Sequence, residues 1–157
     1  AGTARRLLAA RRDRVAAIVV EPIRHQSLDP AFLPQMRELA DRSGALLVLD
    51  EVVTGFRVDR GGVQALTGVR ADLVCLAKGL ANGFPLSALA GPRSLMQHLP
   101  ATHYSMTYRR DALALAAARA SLDVHADTDV TGHLRAIGER LQGGFAELAA
   151  TVADLTT

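Results

Sequence analysis

The stretch Ala45-Leu-Leu-Val-Leu-Asp50 runs through five apolar residues and then stops on a carboxylate. A run with no polar alternation cannot leave one side in water. It predicts a strand covered on both faces, the setting of a parallel sheet between helices. Two other runs share the pattern: Ala16-Ala-Ile-Val-Val20 ends on Glu21, and Leu73-Val-Cys-Leu-Ala77 is followed by Lys78. Between the first two, a helix over about 31–43 places Phe32, Leu33, Met36 and Leu39 on one face, with Gly44 as its stop. Strand, helix, strand, short helix, strand is the rhythm of an α/β sheet.

The flanking segments extend this frame. A helix over about 3–14 precedes the first strand, and Leu86–Ala90 forms another strand, reached through Asn82-Gly83 and Pro85. A short helix follows Gly91-Pro92 and runs to about 99. Two longer helices, over about 110–124 and 129–150, are separated by His125-Ala-Asp-Thr128 and lead away from the sheet toward a second domain. There is no internal repeat and no low-complexity linker.

Composition removes several function classes. The formal net charge is only +2, aromatics are 4%, and tryptophan is absent. A nucleic-acid surface needs a basic stripe with stacking aromatics, and the scattered arginines do not make one. The single cysteine, Cys75, excludes an internal disulfide framework and fits a reducing compartment. No apolar stretch reaches membrane-spanning length, and the N-terminus lacks the pattern of a signal peptide, so the expected location is the cytoplasm. The chain starts at Ala1 without an initiator methionine and ends without an evident stop to its last helix, so it is expected to be part of a longer protein.

Lys78 is the only lysine, against seventeen arginines. A guanidinium keeps its proton, whereas an ε-amine can lose one and attack a carbonyl carbon. In open α/β sheets the carboxyl ends of strands face the ligand crevice. Glu21, Asp50 and Lys78 all fall there. A carboxylate can hold a proton on a heterocyclic nitrogen while a lysine forms a Schiff base with an aldehyde, which is what a pyridoxal phosphate site requires. A buried Asp50–Lys78 salt bridge fits the same spacing, and the pattern alone leaves both open.

Longer motifs carry a resemblance. Val20-Glu-Pro22, Leu46-Leu-Val-Leu-Asp-Glu-Val-Val-Thr-Gly-Phe-Arg57, and Ala71-Asp-Leu-Val-Cys-Leu-Ala-Lys-Gly-Leu-Ala-Asn-Gly-Phe-Pro-Leu-Ser-Ala-Leu-Ala-Gly91 resemble the class III aminotransferases, fold-type I enzymes that depend on pyridoxal 5'-phosphate. Thr54-Gly-Phe-Arg-Val58 and Gly61-Gly-Val-Gln64 look most like the glutamate-1-semialdehyde aminomutase branch. The resemblance implies a mostly parallel sheet flanked by helices. It makes residues 1–124 the C-terminal portion of the cofactor-binding large domain and 125–157 the start of the C-terminal small domain. It also implies that Lys78 carries the cofactor and shuttles the proton, that Asp50 pairs with the pyridine nitrogen, and that Val52 packs on the ring face. Thr107 would bind the cofactor phosphate of a neighbouring subunit, so a homodimer with shared sites acting on a small amine or keto substrate is implied as well.

Some positions depart from the family pattern. The loop Ile23–Pro30 is shorter than in many relatives, Val53 stands where many carry glutamine, and Tyr108-Arg-Arg-Asp111 replaces the usual Gly-Asn-Pro. Arg109 and Arg110 lie either near an anion or on the surface; Arg57 is either a loop anchor or faces substrate. Glu51 is expected to make structural hydrogen bonds. His125, Asp127, Asp129 and His133 cluster within nine residues but match no metal-ligand spacing, and a turn with an Asp or Thr cap accounts for them. His25, His98 and His103 are isolated. The family's phosphate loop and stacking aromatic would precede Ala1, and much of the small domain would follow Thr157. The other readings are a racemase or decarboxylase of related type, or a non-catalytic remnant serving as a dimerisation module.

Overall fold

The computed structural model describes residues 2–11, 14–23, 29–102 and 110–152. Its centre is a four-stranded sheet in the order β1 (Ala17–Val20), β2 (Leu46–Asp50), β3 (Leu73–Leu76), β4 (Ala88–Ala90). The first three strands are parallel and β4 pairs antiparallel with β3, so the sheet is mostly parallel. Leu47, Val48 and Leu49 are all buried, so β2 is covered on both faces, as its unbroken apolar run demands. β1 lies at the sheet edge, and its Val19 is exposed.

The helices are α1 (Gly2–Ala10), α2 (Phe32–Ser43), α3 (Gly62–Thr67), α4 (Arg93–Met96), α5 (Ala112–Asp127) and α6 (Val130–Thr151). α2 buries Leu33, Met36 and Ala40, which join Val20, Leu47, Leu49 and Val63 in the main core, with Phe32 and Leu39 packed at its margin. Gly44 ends α2 in the left-handed region at φ 68° and returns its N–H to the carbonyls of Ala40 and Asp41. A second, smaller core joins Leu80, Ala81 and Ala118 with Phe56, Leu76 and Leu86, which seats α5 on the segment after β3.

Several boundaries differ from the sequence expectation. α1 stops at Ala10 instead of continuing to 14. The His125-Ala-Asp stretch belongs to α5, which runs through Asp127, and the break falls at Thr128–Asp129. The reason is local: alanine-rich sequence propagates a helix until a better N-terminus begins. Here Asp129 caps α6 by accepting from the Gly132 N–H at 2.9 Å. The short helix α3 is only six residues long, too short for periodicity to bound it.

Candidate active site

Because β1, β2 and β3 are parallel, their carboxyl ends share one edge of the sheet. Val20 is register partner to Leu49, and Asp50 to Cys75. Glu21, Asp50 and Lys78 therefore follow three adjacent strand ends. Asp50 closes β2 and is half-buried. One of its carboxylate oxygens accepts the Val52 N–H at 3.1 Å, which orients the group. The other has no hydrogen bond among the described residues.

Lys78 opens a short 3-10 turn, Lys78–Leu80, one residue beyond the apolar run. Its backbone lies in the left-handed region at φ 39°, uncommon for a residue with a side chain. The turn is fastened on both sides. Leu80 N–H donates to Ala77 O at 2.9 Å, Asn82 N–H donates to Lys78 O at 2.8 Å, and the Ser121 hydroxyl of α5 donates to Gly79 O at 3.2 Å. Leu80 and Ala81 are buried while Lys78 is exposed. Among the described residues no ion pair joins Asp50 to Lys78, so the buried salt bridge left open by the sequence does not form.

Glu51 points the other way. It is only 1% exposed, and its carboxylate accepts from the Thr54 hydroxyl at 2.5 Å, Val63 N–H at 2.9 Å and Gln64 N–H at 3.3 Å. Gly62 lets that happen: its φ is +68°, and a β-carbon there would lie 2.4 Å from a Glu51 carboxylate oxygen. The structural role expected of Glu51 is thus the one observed. The sequence does not reveal its partners, because two of them lie twelve and thirteen residues away.

The other predicted positions divide. Val52 follows Asp50 and is half-buried; Val53 is exposed. Arg57 donates to the Val53 carbonyl at 3.0 Å, which makes it an anchor of its own loop. Cys75 is half-buried on β3, and burial together with the Asp50 charge pushes its thiol above the ordinary range. Arg110 is exposed, whereas Thr107 and Arg109 lie outside the described residues, as do His25 and His103.

One structural group escaped the sequence reading. Asp72, just before β3, accepts both Arg37 Nη1 at 2.8 Å and the Leu47 N–H at 2.7 Å. Arg37 also pairs with Asp41 at 2.7 Å. Burial alone would push the Asp72 carboxyl up. The bonds from Arg37 and Leu47 outweigh it and hold the group below the usual carboxylate range.

The family model for class III aminotransferases matches residues 2–155. The chain belongs to the class III aminotransferases. It is 42% identical over 138 residues to the 2'-deamino-2'-hydroxyneamine transaminase of Streptomyces kanamyceticus, a match covering 88% of this chain and 35% of that protein. It is also 42% identical over 156 residues to a glutamate-1-semialdehyde 2,1-aminomutase of Roseiflexus castenholzii, covering 95% and 36% respectively. Among solved structures, the PLP internal aldimine form of the FumI protein of Sphingopyxis sp. MTA144 superposes with a TM-score of 0.87 at 31% identity, covering 94% of this chain and 37% of that one. An omega-transaminase from Sphaerobacter thermophilus gives 0.80 at 27% identity, covering 95% and 36%. This aminotransferase chain therefore spans about a third of the length of the relatives it matches.

Pyridoxal 5'-phosphate is the cofactor of the family, and the described residues fit it. An exposed amine stands beyond one strand end and a carboxylate closes the neighbouring strand; among the described residues the amine has no partner and one carboxylate oxygen has no hydrogen bond. A lysine for the aldehyde carbon and an acid for the ring nitrogen are the two donors that the group requires.

Proposed function

We propose that the protein to which this chain belongs transfers amino groups between small molecules, with Lys78 as the catalytic residue. One observation carries the reading: the chain's only lysine sits just past β3, without a partner among the described residues, at the strand edge where β2 delivers Asp50. Pyridoxal phosphate, when bound, supplies an electron sink for a bond broken at the substrate Cα. Lys78 Nζ would bond the cofactor's aldehyde carbon, leave it for the substrate amine, and then carry a proton between substrate Cα and that carbon. Asp50 would hold the proton on the ring nitrogen, and Val52 would fix the ring plane. Thr107 would reach the cofactor phosphate of a neighbouring subunit in a cytoplasmic homodimer.

Two substrate readings follow from the relatives. Transfer to a keto group on a sugar or cyclitol ring is favoured by the likeness to a 2'-deamino-2'-hydroxyneamine transaminase. Transfer within one molecule is favoured by the likeness to glutamate-1-semialdehyde aminomutases. A non-catalytic assembly module would need neither an unpaired lysine nor its carboxylate.

The test is colour and exchange. The full-length protein with pyridoxal phosphate is expected to show a visible absorbance band that borohydride bleaches, and Lys78→Ala to abolish it. A colourless protein, or a band indifferent to that substitution, overturns the proposal. Amino donors paired with ring-keto sugars, against glutamate-1-semialdehyde supplied alone, separate the two substrate readings.

A further inference from the structure

Glu51 is a buried carboxylate that the proposed chemistry does not use. Its hydrogen bonds reach in three directions. The backbone N–H donates to Cys75 O on β3 at 2.9 Å, and the carbonyl accepts Gly55 N–H at 2.9 Å. The side chain takes Thr54, Val63 and Gln64. The residue before it is Asp50. Gly55, which it holds, presses its carbonyl against the residue after Lys78: a β-carbon on Gly79 would lie 3.1 Å from Gly55 O and 3.3 Å from Phe56 Cβ. The main chain of Glu51 thus closes the turn between Asp50 and the glycine that follows Lys78, and its side chain fastens that turn to the start of α3.

We propose that Glu51 is a positioning residue that, by clamping the 51–55 turn to the start of α3, sets the spacing between Asp50 and Lys78. Its two partner N–H groups are backbone donors, and a displaced carboxylate would leave the buried one, on Val63, unpaired, so the clamp resists movement. A third partner, the Thr54 hydroxyl, is itself on the turn and ties the carboxylate to it. With the clamp loosened, Asp50 would be held less firmly where it is to meet the ring nitrogen of bound cofactor. A less firmly held ring proton withdraws less charge, so the nitrogen that Lys78 contributes binds its own proton more tightly. The inference rests on the pyridoxal phosphate reading above.

The experiment uses full-length protein with cofactor and compares Glu51→Gln, Thr54→Val, Thr54→Ser and a control, Thr67→Val. The control removes a hydroxyl donated to Val63 O at 2.9 Å, on the same helix but away from the turn. Three quantities are read: the pH midpoint of the visible band, the equilibrium affinity for cofactor, and the melting temperature. Glu51→Gln and Thr54→Val are expected to raise the midpoint by on the order of half a unit and weaken cofactor binding by about ten-fold. Thr54→Ser restores both, and Thr67→Val moves only the melting temperature. Should Thr54→Val and Glu51→Gln lower the melting temperature as the control does and leave midpoint and affinity unchanged, Glu51 is structural only and the inference is wrong. A wild-type protein without a band fails at the earlier step and takes the pyridoxal phosphate reading with it.

Discussion

Asp50 and Cys75 are register partners across the parallel strands β2 and β3, and the burial of the thiol and the carboxylate beside it both favour the protonated sulfur. A thiol attacks as its thiolate, so Cys75 is expected to be slow to alkylate at neutral pH and to react only as the pH climbs past the ordinary cysteine range. Asp50→Asn removes the charge and leaves the burial. Alkylation at pH 8, followed by mass spectrometry, should then quicken by about two- to five-fold. An unchanged rate would mean that the carboxylate does not reach the sulfur electrostatically.

Lys78 occupies a conformation that glycine adopts freely and lysine does not. Replacing it should separate stability from chemistry. Lys78→Gly removes the strain and is expected to unfold at a denaturant concentration equivalent to about 0.5–1 kcal/mol above Lys78→Ala, after the entropy cost of glycine is included. Neither variant should carry the borohydride-sensitive band. Equal stability of the two would mean that the turn relaxes around any side chain.

Asp72 and Arg37 give the protein a pH-dependent contribution of definite sign. Although burial opposes it, the hydrogen bonds from Arg37 and the Leu47 N–H hold the Asp72 carboxyl below the usual carboxylate range. A depressed acid stabilises the fold above its unfolded value, and that contribution is lost as the pH falls through the folded one. Arg37→Met should therefore cost stability at pH 7 and progressively less below pH 4. The side chains are 23% and 32% exposed, so solvent screening limits the difference to about 1 kcal/mol. Urea unfolding of both proteins from pH 2.5 to 7 measures it, and a constant gap across that range would contradict the assignment.

Leu47 of β2 is fully buried in the core that the sheet shares with α2. Leu47→Ala is expected to lose about 2–5 kcal/mol by the same measurement. Val19→Ala, at an exposed position on β1, should change stability by about 0.5 kcal/mol or less.

What the sequence discloses depends on how far each interaction reaches. The strands were legible because an apolar run ending in a charge is a local signal, and three of them ordered the carboxyl ends of the sheet. The placement of Lys78 and Asp50 at adjacent strand ends was legible for the same reason. The end of α5 was misplaced because polar His125-Ala-Asp resembles a turn, whereas the helix stops only where Asp129 offers a cap. The partners of Glu51 and Asp72 were not legible, since residues twelve to thirty-five positions apart meet through folding alone. The left-handed backbone of Lys78 leaves no local trace either, because no glycine or asparagine marks the position.

Asp72 makes two bonds to Leu47: its N–H donates to the Leu47 carbonyl at 2.8 Å, and its carboxylate takes the Leu47 N–H. Both would break if β3 slid by one residue against β2. Such a slip would carry Lys78 about 3.3 Å along the strand relative to Asp50, farther than a hydrogen bond tolerates. The alignment of Lys78 against Asp50 is therefore indexed at the opposite end of the strand, by a side chain remote from both.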